Sequence, residues 1–289
     1  MTRATPLLYL NGRFVPEADA RLSPLDRGFT LADGIFETMV ALEDRVFRLG
    51  DHLARLHRGA TVLHLALPPA GELADAIRES LRRNGLPRSV ARLTVSRGVD
   101  PGRGLDVTVG VTPSVVIRVA PWQGPPASLP LVRRLLLSSI RRNDLSPLSR
   151  IKSLSYTEGV IARLEAQREG ADDALLCNTR GHLTGATSSN IFAVTKGSLV
   201  TPPEDDGVLP GIARHTVLEE AERLGISSRE QTLLPEDAAL ADELFTTNVV
   251  AGVVPAIYLS GKPVGPGTSG PITEQLAAAY WDRLRSHLS

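Results

Sequence analysis

Four prolines between Pro121 and Pro130 divide this chain, at positions 121, 125, 126 and 130. A ring that fixes φ and removes an N–H keeps such a stretch out of helix and sheet interiors. On either side, short β-rich runs alternate with amphipathic segments. The pattern predicts a two-lobed α+β protein: a lobe over residues 1–120, a linker over 121–130 and a lobe over 131–289. A chain of 289 residues can bury a core in each lobe.

In the first lobe, Leu7 to Val15 reads as two strands around the Asn11-Gly12 turn, and Gly34 to Leu42 with Arg45 to Phe47 as a second pair. Leu53, Leu56, Ala60 and Leu63 recur at helical spacing within Leu49 to Leu67, and Ala74 to Asn84 forms a second helix closed by Gly85. Strands follow over Val90 to Ser96 and Ser114 to Val119. In the second lobe, Val132 to Ile140 reads as a strand and Ser153 to Arg168 as a helix stopped by Gly170. Ala174 to Asn178, Asn190 to Val194 and Ser198 to Thr201 read as strands, and Leu209-Pro210-Gly211 opens a helix to Leu224. Strands at Glu243 to Thr247 and Gly252 to Leu259 precede a closing helix over Ile272 to Leu288.

Lys+Arg and Asp+Glu both number 32, so no net field favours nucleic acid or an anionic membrane as partner. The single cysteine, Cys177, excludes an internal disulfide framework and suits a reducing compartment, with cytoplasm the default. No apolar run approaches the ~20 residues that span a bilayer. The six histidines (52, 57, 64, 182, 215 and 287) show no metal-ligand spacing, so no metal is expected and solvated or capping roles are favoured.

The lysines narrow the search for chemistry. There are three, Lys152, Lys196 and Lys262, among a large excess of arginine. Lys196 in Thr-Lys-Gly-Ser and Lys262 in Ser-Gly-Lys-Pro sit in polar turns and read as solvated. Lys152 lies between Ile151 and Leu154, where a loop enters an apolar helix. Partial burial there would favour the neutral amine that attack on a carbonyl requires. Leu209-Pro210-Gly211-Ile212 offers backbone N–H groups at a helix start with no nearby acid, a setting suited to phosphate. Thr246-Thr247-Asn248 ends a strand in small donors, and Arg55, between Ala54 and Leu56, is placed to reach inward.

In combination and order these segments resemble the class IV, fold-type IV pyridoxal phosphate enzymes, which include branched-chain and D-amino-acid aminotransferases and 4-amino-4-deoxychorismate lyase. The landmarks are Tyr9-Leu10-Asn11-Gly12, Asp26-Arg27-Gly28, Asp33-Gly34-Ile35-Phe36-Glu37, His52-Leu53-Ala54-Arg55-Leu56, Ile151-Lys152-Ser153-Leu154, Ser188-Ser189-Asn190-Ile191-Phe192, Leu209-Pro210-Gly211-Ile212 and Thr247-Asn248. The resemblance implies the D-amino-acid aminotransferase-like fold, with a small N-terminal lobe and a larger β-rich one. It implies pyridoxal 5'-phosphate as cofactor, Lys152 as the Schiff-base lysine and Arg55 as a clamp on the cofactor phosphate. Gly211, Ile212, Thr247 and Asn248 would complete the phosphate cup, and Tyr156 would bond near the phenolic oxygen. Phe36 would wall the substrate pocket, Arg103 would hold a substrate carboxylate, and the protein would be a homodimer.

One position departs from the family pattern. Where relatives carry a glutamate that bonds the pyridine nitrogen, five residues before Asn190, this chain has Gly185. A less protonated ring withdraws electrons more weakly, which disfavours transamination, unless Thr184, Thr187 or a water substitutes as donor. Together with Ser96-Arg97-Gly98, Gly102-Arg103-Gly104-Leu105 and Thr247-Asn248, this favours the lyase that converts 4-amino-4-deoxychorismate to 4-aminobenzoate and pyruvate. Aromatisation drives that reaction, with Lys152 as base and then acid. The alternative is an aminotransferase for branched-chain or D-amino acids with a 2-oxo acid acceptor.

Overall fold

The computed structural model describes residues 5–102, 104–124 and 132–288. Two compact units emerge. One comprises Met1–Gly124, Ile151–Ser155 and His287–Ser289, the other Pro125–Arg150 and Tyr156–Ser286. The break falls within the proline-rich stretch, of which residues 125–131 lie outside the described set. The segment around Lys152 returns to the first unit.

The first unit contains β1 (Leu7–Leu10), β2 (Arg13–Pro16), α1 (Arg27–Leu31), β3 (Gly34–Leu42), β4 (Arg45–Val46), α2 (Leu49–Leu63), α3 (Ala70–Asn84), β5 (Arg88–Ser96) and β6 (Ser114–Pro121). Its six strands form one antiparallel sheet in the order β2-β1-β6-β5-β3-β4. One core holds Met39 of β3, Leu93 of β5, Ile117 of β6, Leu56 of α2, and Ile77 and Leu81 of α3. Full burial of side chains this size stabilises by about 1.5–3 kcal/mol each. Helix α2 stops four residues before the predicted Leu67, because His64 turns left-handed (φ 48°) and its N–H caps the Ala60 and Thr61 carbonyls. Helix α3 starts four residues before Ala74, with Pro69 at its N-cap.

The second unit contains β7 (Arg133–Arg142), α4 (Thr157–Arg168), β8 (Asp173–Asn178), β9 (Leu183–Ala186), β10 (Asn190–Thr195), β11 (Ser198–Thr201), α5 (Ile212–Arg223), β12 (Ser228–Glu230), α6 (Pro235–Ala239), β13 (Glu243–Asn248), β14 (Gly252–Leu259), β15 (Lys262–Pro263) and α7 (Pro271–Leu288). Eight strands run β12-β11-β10-β13-β14-β7-β8-β9, and β15 pairs with β14. The β14-β7-β8 stretch is parallel. Every residue of β8 is buried, as befits a strand covered on both faces. Leu175 and Cys177 join one core with Leu183, Ile191 and Leu244, whereas Ala174 and Leu176 point the other way onto Ala162 and Ala166 of α4.

The predicted helix from Ser153 begins only at Thr157. Ser153 instead makes an isolated antiparallel bridge to Ile35. Phe36 donates its N–H to the Lys152 carbonyl and Leu154 donates to the Gly34 carbonyl, both at 2.9 Å. Gly34 permits this approach, since a Cβ there would lie 2.8 Å from Leu154 Cδ1 and 2.5 Å from the Val95 carbonyl oxygen. Lys152 therefore sits in a turn ahead of the helix, one residue before the Ser153–Ile35 bridge and bonded through its carbonyl to the start of β3. No helix among the described residues is long and apolar enough to cross a membrane.

Candidate active site

The pairing that fixes Lys152 also fixes what its amine meets. Phe36, one residue along β3 from the bridge between Ile35 and Ser153, is buried, and Lys152 Nζ lies 4.4 Å from its ring centroid. The Arg92 guanidinium carbon, from neighbouring β5, lies 3.8 Å from the same centroid. One buried aromatic ring thus carries two cations. Lys196 is exposed in a turn, as the sequence predicts, and Lys262 is exposed too, although it begins the two-residue strand β15. Phe36, expected from the resemblance to wall a substrate pocket, is buried beside the Lys152 amine. The sequence reading missed Arg92, although its register opposite Thr38 puts it one diagonal step from Phe36.

Behind this ring lies a buried ionic cluster. Arg55 of α2 donates from Nε and Nη2 to the two carboxylate oxygens of Glu37, each at 2.7 Å. His52, one turn earlier on the same helix face, contacts Glu37 Oε2 through Nδ1 at 2.7 Å. Burial alone would push the Glu37 carboxyl up, but the charge and hydrogen bonds of Arg55 and the hydrogen bond from His52 outweigh it and hold the group at about 2. Burial pushes His52 below its ordinary range, so the ring is neutral and Nδ1–H donates to the carboxylate. His52 is fully buried, so neither the solvated nor the capping role expected for it applies. Its Nε2 has no hydrogen-bond partner among the described residues. Arg55 reaches inward as the sequence suggests, with much of its guanidinium engaged by Glu37.

In the second unit, Asn190 of β10 and Thr247 of β13 face each other in antiparallel register. Asn190 Nδ2 donates to the Leu209 carbonyl at 2.9 Å, drawing the loop before α5 onto this pair. Gly211 is the N-cap of α5, with no side-chain cap and no acid in the first turn. A Cβ at 211 would fall 2.0 Å from Asn190 Oδ1, so the approach needs glycine. Ile212 is the first helical residue, and its N–H is among those no helical carbonyl can satisfy. Thr247 Oγ1 is buried without a partner among the described residues. The structure therefore gathers Gly211, Ile212 and Thr247, three of the four predicted cup residues. The Asn248 side-chain oxygen instead accepts from Val250 and Ala251 N–H, at 3.0 and 2.8 Å, closing the β13–β14 turn.

Gly185 lies in β9 at φ 144°, a conformation L-residues rarely adopt, and a Cβ there would meet the Ser189 carbonyl oxygen at 2.7 Å. Neither threonine considered as a substitute donor is available. Thr184 Oγ1 donates to the Leu176 carbonyl, and Thr187 Oγ1 donates to Asp173 Oδ1 at 2.6 Å. Tyr156 is the N-cap residue of α4, its carbonyl accepting from Val160 N–H. Arg103 lies outside the described residues.

The family model "Amino-transferase class IV" matches residues 34–257. The chain belongs to the class IV aminotransferases. A putative branched-chain-amino-acid aminotransferase of Methanocaldococcus jannaschii is 36% identical over 277 residues, covering 95% of each chain. A D-alanine aminotransferase of Staphylococcus haemolyticus is 30% identical, covering 98% of this chain and 99% of that one. The branched-chain amino acid aminotransferase of Thermobaculum terrenum, solved in its PLP form, superposes with a TM-score of 0.87 at 26% identity over 99% of this chain and 97% of its own.

Class IV aminotransferases depend on pyridoxal phosphate, and most of this enzyme's residues fit it. An uncapped helix start beside an orphaned buried hydroxyl is a cradle for phosphate oxygens. Lys152 would supply an amine for the aldehyde. When bound, the cofactor supplies a ring that withdraws electrons from the substrate's Cα. Gly185 carries no side chain for the role that the resemblance implies there. Thr247→Val should weaken cofactor binding about 10-fold, the loss of one charge-assisted hydrogen bond. Because it also removes an unsatisfied buried hydroxyl, the melting temperature of the cofactor-free variant should match or exceed wild type; fluorescence titration and thermal melts check both halves.

Proposed function

We propose that this enzyme transfers the amino group between a branched-chain α-amino acid and a 2-oxo acid. The Lys152–Phe36–Arg92 arrangement carries the reading. An amine 4.4 Å and a guanidinium 3.8 Å from one buried aromatic ring suit a substrate with a carboxylate, a reacting Cα and an apolar side chain. The aminotransferase names of its relatives support it and reverse the order of the two readings drawn from sequence, since none of the matches named above is a lyase. The Thr247-Asn248 signal that favoured the lyase is explained locally, because Asn248 closes a turn.

In this reading Lys152 Nζ takes the Cα proton of the amino donor, Arg92 orients the substrate carboxylate and Phe36 excludes water beside the reacting carbon. L-leucine alone should convert the holoenzyme to its pyridoxamine form, seen by absorbance, and a 2-oxo acid should restore it. Conversion by D-alanine and not by L-leucine would move the substrate to the D series. Release of pyruvate and 4-aminobenzoate from aminodeoxychorismate would reinstate the lyase. Arg92→Gln should raise KM for both substrates by about 10- to 100-fold with a smaller change in kcat, the pattern of a lost charged hydrogen bond to a carboxylate. We also propose a homodimer in the cytoplasm. Phe29, Val99, Leu105 and Val109 are exposed, and so are Val160, Ile161 and Leu164 of α4. Exposed apolar side chains close together on one helix, as Val160, Ile161 and Leu164 are, are what association would cover, and sedimentation would show the mass.

A further inference from the structure

The phosphate cradle at the start of α5 has two parts that come from different elements, and the inference drawn here rests on it. One part is the backbone N–H groups of Gly211 and Ile212. The other is the Thr247 hydroxyl of β13, buried and without a partner among the described residues. Both can serve one anion only if the loop that enters α5 is held against the β10–β13 pair at the right height. Something has to set that height.

The body of α5 is fixed independently of the loop. Ile212, Ala213 and Val217 are buried, and on the first turn Arg214 donates from Nη2 to the Pro202 carbonyl at 3.0 Å and pairs with Glu230 at 2.8 Å. Residues 209–211 lie outside that anchorage. Pro210 brings no N–H, and Gly211, extended at φ −73° and ψ 135°, brings no side chain. Asn190 supplies the tie from the sheet. Its Nδ2 donates to the Leu209 carbonyl at 2.9 Å, and its Oδ1 stands where a Cβ at position 211 would collide with it. Asn190 is buried at the start of β10, directly opposite Thr247, so the two side chains rise from the same face of the sheet. One amide therefore sits between the two parts of the cradle and touches the loop at both Leu209 and Gly211.

We propose that Asn190 is a positioning residue for the cofactor phosphate, holding the 209–211 loop so that the Gly211 and Ile212 N–H groups and Thr247 Oγ1 address one anion before it arrives. With Nδ2 committed to Leu209, the amide acts through the loop. A cradle ordered in advance spares the ordering cost that binding would otherwise carry.

Titration of the apoenzyme with pyridoxal phosphate, followed by fluorescence, tests this beside thermal melts of each cofactor-free variant. Asn190→Asp keeps the outline of the side chain but sets an acceptor against the Leu209 carbonyl and a negative charge beside the anion. Asn190→Ala removes the tie without adding charge. Both should weaken cofactor affinity by at least about 10-fold, the aspartate more than the alanine. Thr201→Val is the structural control. Thr201 Oγ1 donates to the Ile191 carbonyl at 2.8 Å, a buried side-chain bond to the residue after Asn190, and its loss should lower the melting temperature with affinity kept within about 2-fold. Affinities of both Asn190 variants within about 2-fold of wild type would overturn the proposal. So would an equal weakening by Thr201→Val, which would make the loss one of general stability. Thr247→Val separates this proposal from the cradle beneath it. If that variant weakens binding and the Asn190 variants do not, the role of Asn190 alone fails; if Thr247→Val binds as tightly as wild type, the cradle falls and the proposal with it.

Discussion

Replacing Lys152 with alanine is expected to lower amino transfer by at least about 10³-fold while leaving the fold intact. One side chain is being asked both to carry the cofactor's aldehyde and to move the Cα proton, and general-base catalysis alone contributes about 10²–10⁴-fold. The structural cost is small by comparison. Lys152 is half-buried, and a cation over an aromatic face, here 4.4 Å from the Phe36 centroid, is worth about 0.5–2 kcal/mol. Its carbonyl accepts from Phe36 N–H, a bond that does not depend on side-chain identity. Borohydride reduction of the wild-type holoenzyme followed by peptide mass mapping should place the adduct on residue 152. An adduct on Lys196 or Lys262, or a variant that keeps its rate, would remove the basis of the functional reading.

Lys152 also shows how far the sequence could be read. Its selection among three lysines needed only local setting, because turn residues such as Lys196-Gly197 announce themselves and a lysine between Ile151 and Leu154 does not belong to a turn. The helix after it starts at Thr157, four residues later than the spacing predicts. The bonds that hold the intervening turn come from Gly34 and Phe36, more than a hundred residues away, and local periodicity carries no trace of such a partner. The same limit explains Arg92. On β5 it alternates with Ala91 and Leu93 as an ordinary exposed residue, and only the register of β3 against β5 puts it over Phe36. Longer strands rich in apolar residues, such as β3 and β14, were legible with their full extents; β9 and the short α1 and α6, with four and five residues, carried too little pattern to register. Gly185 was legible as an anomaly. Its consequence, a backbone that admits no side chain, required the φ angle.

Glu37→Gln should destabilise the first unit by about 3 kcal/mol and flatten its response to acid. A carboxyl held at about 2 instead of its ordinary 4.5 corresponds to roughly 3 kcal/mol of preference for the ionised, paired form. The sign follows from proton counts. Below pH 4.5 the unfolded chain binds a proton at Glu37 that the folded chain refuses until the pH reaches about 2, so the stabilisation is complete above 4.5 and lost on descending through that window. His52, held neutral by burial, acts in the same direction from its ordinary 6.5 downward, because the unfolded ring takes up a proton first. Glutamine preserves the volume and can still accept from His52, yet it leaves the Arg55 guanidinium, 7% exposed, without its counter-charge. Breaking one side of a buried pair in this way costs more than the pair contributes to stability. Thermal melts from pH 7 to pH 3 should show the variant lower by about 6–12 °C at neutral pH. The gap should narrow as acid protonates the wild-type unfolded state, and two curves falling in parallel over that range would mean that Glu37 is not the group whose ionisation holds α2 to β3.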